Sequence, residues 1–181
     1  MILSPVIWLQ NTPIFIFLRD WPNAYPILLS FHLAFIGIFS TTIVLTDLRL
    51  LGWGMRSHSV SDIVNQLRVP KRIGFVFVAT CGFLVFGMKA EEYYYNDFFR
   101  IKLFLLGLVA LHAVVFRRSV YNQAAELDRL TQTPTRAKVA AGLSLLLWLC
   151  IVCAGRGIGY QPRRFPTHLV RLVQLPTENH R

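Results

Sequence analysis

Charged side chains are scarce in this sequence, because only 15% of its 181 residues are Asp, Glu, Lys or Arg. A water-soluble domain carries about 25% charged residues, so much of this protein's surface is expected to face something other than water. Hydrophobic residues make up 54% of the chain and aromatic residues 13%. This composition excludes an ordinary soluble domain and indicates an integral membrane protein.

Acidic residues are the scarcer of the two charged groups. The sequence has nine acidic residues and 19 lysines and arginines, which gives a formal net charge of +10. Most of the basic residues lie between apolar runs, so they are expected to form a basic rim around an apolar body. Such a rim favours contact with anionic membrane lipids or with other membrane-protein subunits. Nucleic acid is not expected as a partner, because no soluble basic face is available to bind it.

Cysteine is rare as well. The three cysteines, Cys81, Cys150 and Cys153, all lie in apolar runs. Their odd number and apolar setting predict no disulfide framework. Cys150 and Cys153 have the spacing of redox and zinc motifs, but on a helix in lipid we interpret them as small packing residues.

Several motifs of catalysis and targeting are absent. The sequence has no HExxH, no G-x-S-x-G and no dense carboxylate cluster that would bind a hard metal. The glycines in residues 155–159 lack the strand-turn-helix setting of a dinucleotide-binding loop. Residues 1–18 lack the basic leading region of a signal peptide, so none is expected.

Four apolar segments are long enough, or nearly so, to cross a bilayer as a helix, which takes about 20 residues. They cover residues 26–46, 73–88, 98–116 and 139–155. Residues 25–160 are therefore predicted to form an all-α, integral membrane four-helix bundle, with a short amphipathic helix over residues 59–68 in the first link. Residues 161–181 are predicted to form a basic amphipathic tail, suited to a membrane surface or a partner.

The N-terminal segment, residues 1–24, is less apolar and is broken at Pro13. We interpret it as an interfacial helix, with a fifth spanning helix as the alternative. The basic residues near the helix ends divide almost evenly between the two sides of the membrane. Our interpretation leans towards a bacterial inner-membrane protein with both termini in the periplasm.

Two histidines lie inside predicted spans, where an ionisable residue costs about 2.5–3.5 kcal/mol and is a functional candidate by default. At 1.5 Å per residue, His32 is expected about 10 Å and His112 about 15 Å below the same membrane edge. Similar depths would allow both imidazoles to bind one b-type haem, which takes axial histidine. Alternatively, each histidine hydrogen-bonds a neighbouring hydroxyl and serves helix packing alone.

Other residues near that edge suit the same hypothesis. Met88 is an alternative sixth ligand, and Lys102 and Arg156 are candidates to pair with the haem propionates. Asp47 lies 15 positions after His32 and on roughly the same side of the first span. It is expected either to pair with a cation such as Arg117 or Arg118 and end the helix, or to carry protons.

Three short motifs resemble those of an uncharacterised family of four-helix bacterial inner-membrane proteins. They are Leu-Thr-Asp-Leu-Arg-Leu-Leu-Gly at residues 45–52, Arg-Ile-Lys-Leu at residues 100–103 and Ala-Gly-Arg at residues 154–156, and the resemblance covers residues 24–160. That family distantly resembles the CopD-type and HemJ-type haem-binding membrane proteins. The HemJ-type enzymes oxidise protoporphyrinogen, carry a b-type haem, and need a histidine in the first helix and a lysine followed by a histidine in a later one. The resemblance implies these roles for His32, Lys102 and His112.

The leading hypothesis is a small haem-b-binding membrane protein for electron transfer, within or beside a larger redox complex. His32 would be the main axial ligand, with His112 or Met88 as the second. A six-coordinate haem favours electron transfer because no open position remains for a substrate. Two alternatives stay open: a non-catalytic accessory subunit of a membrane complex, and a HemJ-like protoporphyrinogen oxidase. Whether the protein is an enzyme is therefore left undecided.

Overall fold

A computed structural model of the chain describes residues 3–55, 57–116, 124–130 and 133–162. Within these ranges it contains eight helices and no strand, which confirms the predicted all-α class. The helices are α1 (Leu3–Gln10), α2 (Pro13–Asp20), α3 (Ala24–Leu51), α4 (Val60–Met88), α5 (Ala90–Tyr94), α6 (Asp97–Phe116), α7 (Ala124–Leu127) and α8 (Thr135–Ile158). The predicted tail lies outside the described residues, apart from Gln161 and Pro162.

Four of the described helices, α3, α4, α6 and α8, are long and apolar enough to cross a membrane. The shortest, α6, has 20 residues and extends about 30 Å, the thickness of the hydrocarbon core. Each contains one of the four segments expected from the sequence, so the chain is a multi-pass membrane protein. Its spans alternate in direction. The start of α3, α5 and the end of α8 therefore meet at one end of the bundle, called here the terminal end, and the other is called the link end.

Helix α3 packs against both α4 and α8, and α8 packs in turn against α6. Small residues of α8 make the close contacts, since Ala137, Ala140 and Ala141 are almost fully buried. Helices α4 and α6 meet instead through the rings of Phe86 and Phe99, whose centroids lie 5.2 Å apart in nearly parallel planes. Helix α3 therefore packs most extensively, against α4 on one side and α8 on the other.

The predicted amphipathic helix and the second span form one continuous helix, α4, with Pro70 inside it. Proline removes one backbone hydrogen bond, but membrane helices tolerate it where neighbouring groups satisfy the freed carbonyl. Val60 explains why the helix starts so early, because it belongs to a buried cluster with Leu50 and alanines of α8. The sequence pattern alone predicted a link before the second span, in a region where packing extends α4.

The N-terminal segment forms two short helices, α1 and α2, with Pro13 in the first turn of α2 as the sequence indicated. Each has eight residues, about 12 Å of helix, which is too short to cross a membrane. Phe15 is 2% exposed and packs with Ala24 and Met88. Both helices therefore cover the terminal end of the bundle, and their location in the membrane interface stays a prediction.

Asp128, just after α7, caps the start of α4 from across the molecule. Its Oδ1 accepts a hydrogen bond from the Val60 N–H at 2.6 Å, and its Oδ2 accepts one from the Ser61 N–H at 3.1 Å. A carboxylate in this position satisfies two otherwise unpaired N–H groups and faces the positive end of the helix dipole. The link between α6 and α8 is thereby tethered to α4.

This tether is expected to depend on pH. Slight burial alone would raise the pKa of Asp128. Hydrogen bonds from the Ser61 side chain and from the Val60 and Ser61 N–H groups, with the charge of Arg49, hold that pKa below its usual range. A depressed folded-state pKa stabilises the protein above the unfolded value of about 3.9, and the effect is lost as pH falls through the folded value.

We therefore expect Asp128→Asn to cost about 1 kcal/mol at pH 7, the usual worth of a helix cap, and progressively less below about pH 4. The measurement is the melting temperature in detergent across a series of pH values. Asp62→Asn is the matched control, because Asp62 is an exposed acid in the same first turn of α4. Equal melting temperatures for Asp128→Asn and the wild type at pH 7 would contradict the tether.

Candidate functional site

His32 lies eight residues into α3 and faces α4. A Cβ atom at Gly82 would come within 2.8 Å of the His32 Cε1 atom, so the ring needs glycine at this position. The half-buried ring has a buried Nδ1 with no hydrogen-bond partner in the described part of the chain. The Val78 carbonyl lies near the ring without making a hydrogen bond of acceptable geometry to Nδ1. Both ring nitrogens of His32 therefore lie close to the backbone of α4 at Gly82.

Lys102 of α6 reaches the same level of the bundle. Its ammonium interacts electrostatically with His32 and lies 3.8 Å from the position that a Cβ of Gly155 would occupy. Among the residues described, no carboxylate forms an ion pair with Lys102. His32, Gly82, Lys102 and Gly155 come one from each spanning helix, and we call this set the histidine–lysine layer.

The histidine–lysine layer lies within the membrane-spanning part of the bundle. His32 is eight residues beyond Ala24, which is about 12 Å along the helix axis. Two basic side chains at this depth are costly to place, because the surroundings offer little to solvate a cation. Their position therefore makes both of them candidate functional residues.

His112 does not reach this layer. Its Nε2 lies 2.9 Å from the carbonyl oxygen of Ala140 on α8, and its ring packs on Phe116 at 4.8 Å between centroids. Ten residues separate it from Lys102, about 15 Å along α6. The structure therefore does not bring the two histidines to a single haem iron, and gives His112 the packing role that was its alternative.

The expected similar depths of the two histidines rested on counting residues from Tyr25 for His32 and from Lys102 for His112. Lys102 is not at the membrane edge, because α6 begins five residues earlier at Asp97. It is level with His32 instead. His112 therefore lies deeper in the membrane than expected, and the difference is the depth of Lys102 below the membrane edge.

Met88 and Arg156, the remaining expected haem contacts, also lie elsewhere. Met88 is 3% exposed in the buried cluster of Phe15 and Ala24, about 9 Å further along α4 than Gly82. Arg156 is exposed, and its Nη2 donates a hydrogen bond to the Tyr160 hydroxyl at 2.8 Å. Of the expected site residues, the structure brings together His32 and Lys102.

A second buried polar cluster lies towards the link end. Asp47 is 1% exposed and interacts electrostatically with Lys71 of α4. The Lys71 Nζ donates to the Thr46 hydroxyl at 3.5 Å, and that hydroxyl donates to the Thr42 carbonyl at 2.8 Å. The sequence indicated a cation partner for Asp47, but the candidates offered, Arg117 and Arg118, lie outside the described residues.

Lys71 was missed because Pro70-Lys71-Arg72 was interpreted as a link. The signal that would have found it is the spacing of the inward positions of α4. Lys71 lies eight positions after Ile63 and three before Gly74, both buried, so it shares their face of the helix. Within the described ranges, no group of three His, Cys, Asp or Glu side chains could hold a metal ion.

Comparison with known proteins identifies one family. The family of unknown function DUF6644 matches residues 24–161. This match includes all four spanning helices and the histidine–lysine layer, and it leaves α1 and α2 outside. No curated protein and no solved structure matches the chain.

Proposed function

We propose that this chain, which belongs to DUF6644, a family of unknown function, binds haem b and passes electrons within or beside a larger redox complex. One observation carries the proposal. Within the described residues, an imidazole whose buried Nδ1 has no hydrogen bond of ordinary geometry and a lysine with no paired carboxylate lie at one level inside four membrane-spanning helices. They are also two of the three residues through which the sequence resembles the HemJ-type haem proteins, the third being His112.

The residues of the layer suit haem in charge. Gly82 leaves room for the His32 ring, and Gly155 leaves room for the end of the Lys102 side chain. A buried ammonium is costly unless an anion pairs with it, and a haem propionate is such an anion. Haem b supplies reversible one-electron chemistry when it is bound. In the proposal His32 holds the iron, Lys102 orients and neutralises a propionate, and the apolar helices exclude water.

His32 would be the one residue of this chain that holds the haem iron. His112 and Met88 make other contacts, so neither supports the six-coordinate arrangement that the sequence suggested. We propose that a second ligand comes from a partner subunit, which would place the chain in a complex. A haem that is high-spin in the isolated protein and low-spin in native membranes is the expected spectroscopic result.

We also propose a bacterial inner-membrane location with the terminal end facing the periplasm. Positive residues favour the cytoplasmic side of a bacterial membrane protein. Among the described residues, the link end has somewhat more of them than the terminal end. The basic residues at the link end are Arg49, Arg68, Arg72, Arg129, Arg136 and Lys138, and those at the terminal end are Arg19, Lys89, Arg100 and Arg156. Labelling of single cysteines from outside intact cells tests this orientation.

Removal of the His32 imidazole is expected to abolish haem binding. The wild-type protein, purified in mild detergent from cells supplied with haem, should show a Soret absorption band, and His32→Ala should lack it. His112→Ala and His58→Ala are the matched controls. One removes a buried histidine that binds Ala140, the other an exposed histidine of the first link, and both should keep the band.

A colourless wild-type protein would overturn the haem proposal and favour the accessory-subunit alternative. Loss of the band in His112→Ala but not in His32→Ala would move the site to the other end of the bundle. Lys102-dependent oxidation of protoporphyrinogen, followed by porphyrin fluorescence, would favour a HemJ-like enzyme over an electron carrier.

A further inference from the structure

A cavity of about 270 Å³ opens at the terminal end, between the start of α3, α5 and the end of α8. Three tyrosines, Tyr25, Tyr93 and Tyr95, form much of its wall, with Lys89 and Glu92 beside them. Pockets for drug-sized ligands typically measure 300–1,000 Å³, so this cavity suits a smaller polar group and not a haem. It lies about 10 Å above the histidine–lysine layer, because seven residues of α4 separate Gly82 from Lys89.

The cavity carries one charge of each sign. The Lys89 Nζ lies 3.9 Å from the Glu92 Oε2, and the two side chains are 34% and 42% exposed. The same ammonium lies 4.1 Å from the centroid of the Tyr25 ring. A ligand with adjacent positive and negative groups would complement this pair, with its anion at Lys89 and its cation at Glu92.

The tyrosine hydroxyls add a donor. Tyr25 and Tyr93 share a hydrogen bond of 2.9 Å between their oxygen atoms. Burial and this hydrogen bond raise the pKa of Tyr93, so its phenol stays neutral at physiological pH. Each phenol has one proton and the shared bond uses one of the two. The pair therefore keeps one O–H that can donate to a ligand oxygen.

The position of the cavity indicates how a ligand arrives. It lies where α3 begins and α8 ends. Trp21, just before α3, is 52% exposed, and Tyr160, just after α8, is 71% exposed. Exposed aromatic rings at the ends of spanning helices mark the headgroup level of a membrane. A group that occupies this cavity is therefore presented most readily by a lipid.

We propose that this cavity binds a phospholipid whose headgroup carries a primary ammonium next to its phosphate, as phosphatidylethanolamine does. Lys89 and the free tyrosine O–H would bind the phosphate oxygens, and the Glu92 carboxylate would accept hydrogen bonds from the ammonium. An anionic headgroup without an ammonium would be repelled by Glu92. A trimethylated ammonium would be disfavoured because it cannot donate a hydrogen bond to Glu92.

The test measures retention of short-chain lipids by the full chain in detergent, using native mass spectrometry. Phosphatidylethanolamine, phosphatidylglycerol and phosphatidylcholine with the same acyl chains are compared. We expect the ethanolamine lipid to bind the wild type on the order of tenfold more tightly than the other two. Glu92→Gln should remove this preference, and the double variant Tyr25→Phe, Tyr93→Phe, which removes both phenol protons, should weaken binding of all three. Lys138→Met, an exposed lysine at the link end, is the matched control and should change nothing.

Equal retention of the three lipids by the wild type would overturn the proposal without any need for a variant. Soluble phosphoethanolamine forms a further arm. If it displaces the lipid at equal concentration, the ligand is a free phosphate compound and the lipid assignment is wrong. None of these readouts depends on haem, so this proposal and the proposed function can fail separately.

Discussion

Replacement of Lys71 by methionine is expected to destabilise the protein by about 3–5 kcal/mol, because it removes a cation from a buried carboxylate. Asp47 is 1% exposed, so water cannot take over the role of Lys71. The electrostatic interaction between the two side chains links α3 and α4 within the spanning region. The single variant removes the attraction to Lys71 and leaves the cost of burying Asp47 in place.

The double variant Asp47→Asn, Lys71→Met should recover most of the lost stability, since it carries no buried charge at this point. Unfolding by sodium dodecyl sulfate in mixed micelles, followed by tryptophan fluorescence, gives the free energy of each variant. Arg72→Met is the control, because Arg72 is the adjacent residue of α4 and is exposed. If Lys71→Met and Arg72→Met have the same free energy of unfolding, the pair of Asp47 and Lys71 contributes nothing to stability.

Truncation of Phe15 is expected to release the N-terminal helices from the bundle. Phe15 is 2% exposed and fills a cluster with Ala24 and Met88, and removal of a buried phenylalanine ring typically costs about 3–5 kcal/mol. Because α2 lies at the edge of the fold, the loss should appear as local opening of residues 13–20. Hydrogen exchange of these amides, read by mass spectrometry, should accelerate in Phe15→Ala. It should stay unchanged in Phe17→Ala, whose ring is 69% exposed on the same helix.

Gly87→Ala tests the same contact from the other side. A methyl group on Gly87 would overlap the Phe15 ring, so this variant should also open residues 13–20. The effect of Phe15→Ala and Gly87→Ala together should be smaller than the sum of the two, because they act on one contact. Gly107→Ala is the control, since a Cβ there would meet no atom within 4 Å. Unchanged exchange in Gly87→Ala would show that Phe15 does not dock there.

The sequence predicted the spanning helices well because their signal is local. An apolar run of about 20 residues has no other stable arrangement in lipid, so the four spans follow from composition alone. The start of α4 does not follow from composition. Residues 60–70 join the helix because Val60 packs against Leu50 and the alanines of α8, a contact between distant parts of the chain.

For the candidate site, too, the sequence predicted what is local and missed what depends on distant contacts. His32 and Lys102 were identified singly, because an ionisable residue in an apolar run is conspicuous in any membrane sequence. Which of them meet depends on how far each helix is displaced along the bundle axis. That displacement is set by tight contacts such as His32 against Gly82, and no periodicity within one helix reports it. His112 was misplaced for this reason, and Lys71 was missed because the boundary of its helix was misplaced.

The tether at Asp128 has a consequence for the order in which the protein assembles during synthesis. The carboxylate that caps α4 lies 68 residues after Val60 in the chain. At a ribosome speed of about 5–20 residues per second, α4 emerges between roughly 3 and 14 s before the residue that completes its first turn. The first two spans must therefore enter the bilayer with the start of α4 unfinished. The contact between Asp128 and the start of α4 forms only after the third span has been synthesised.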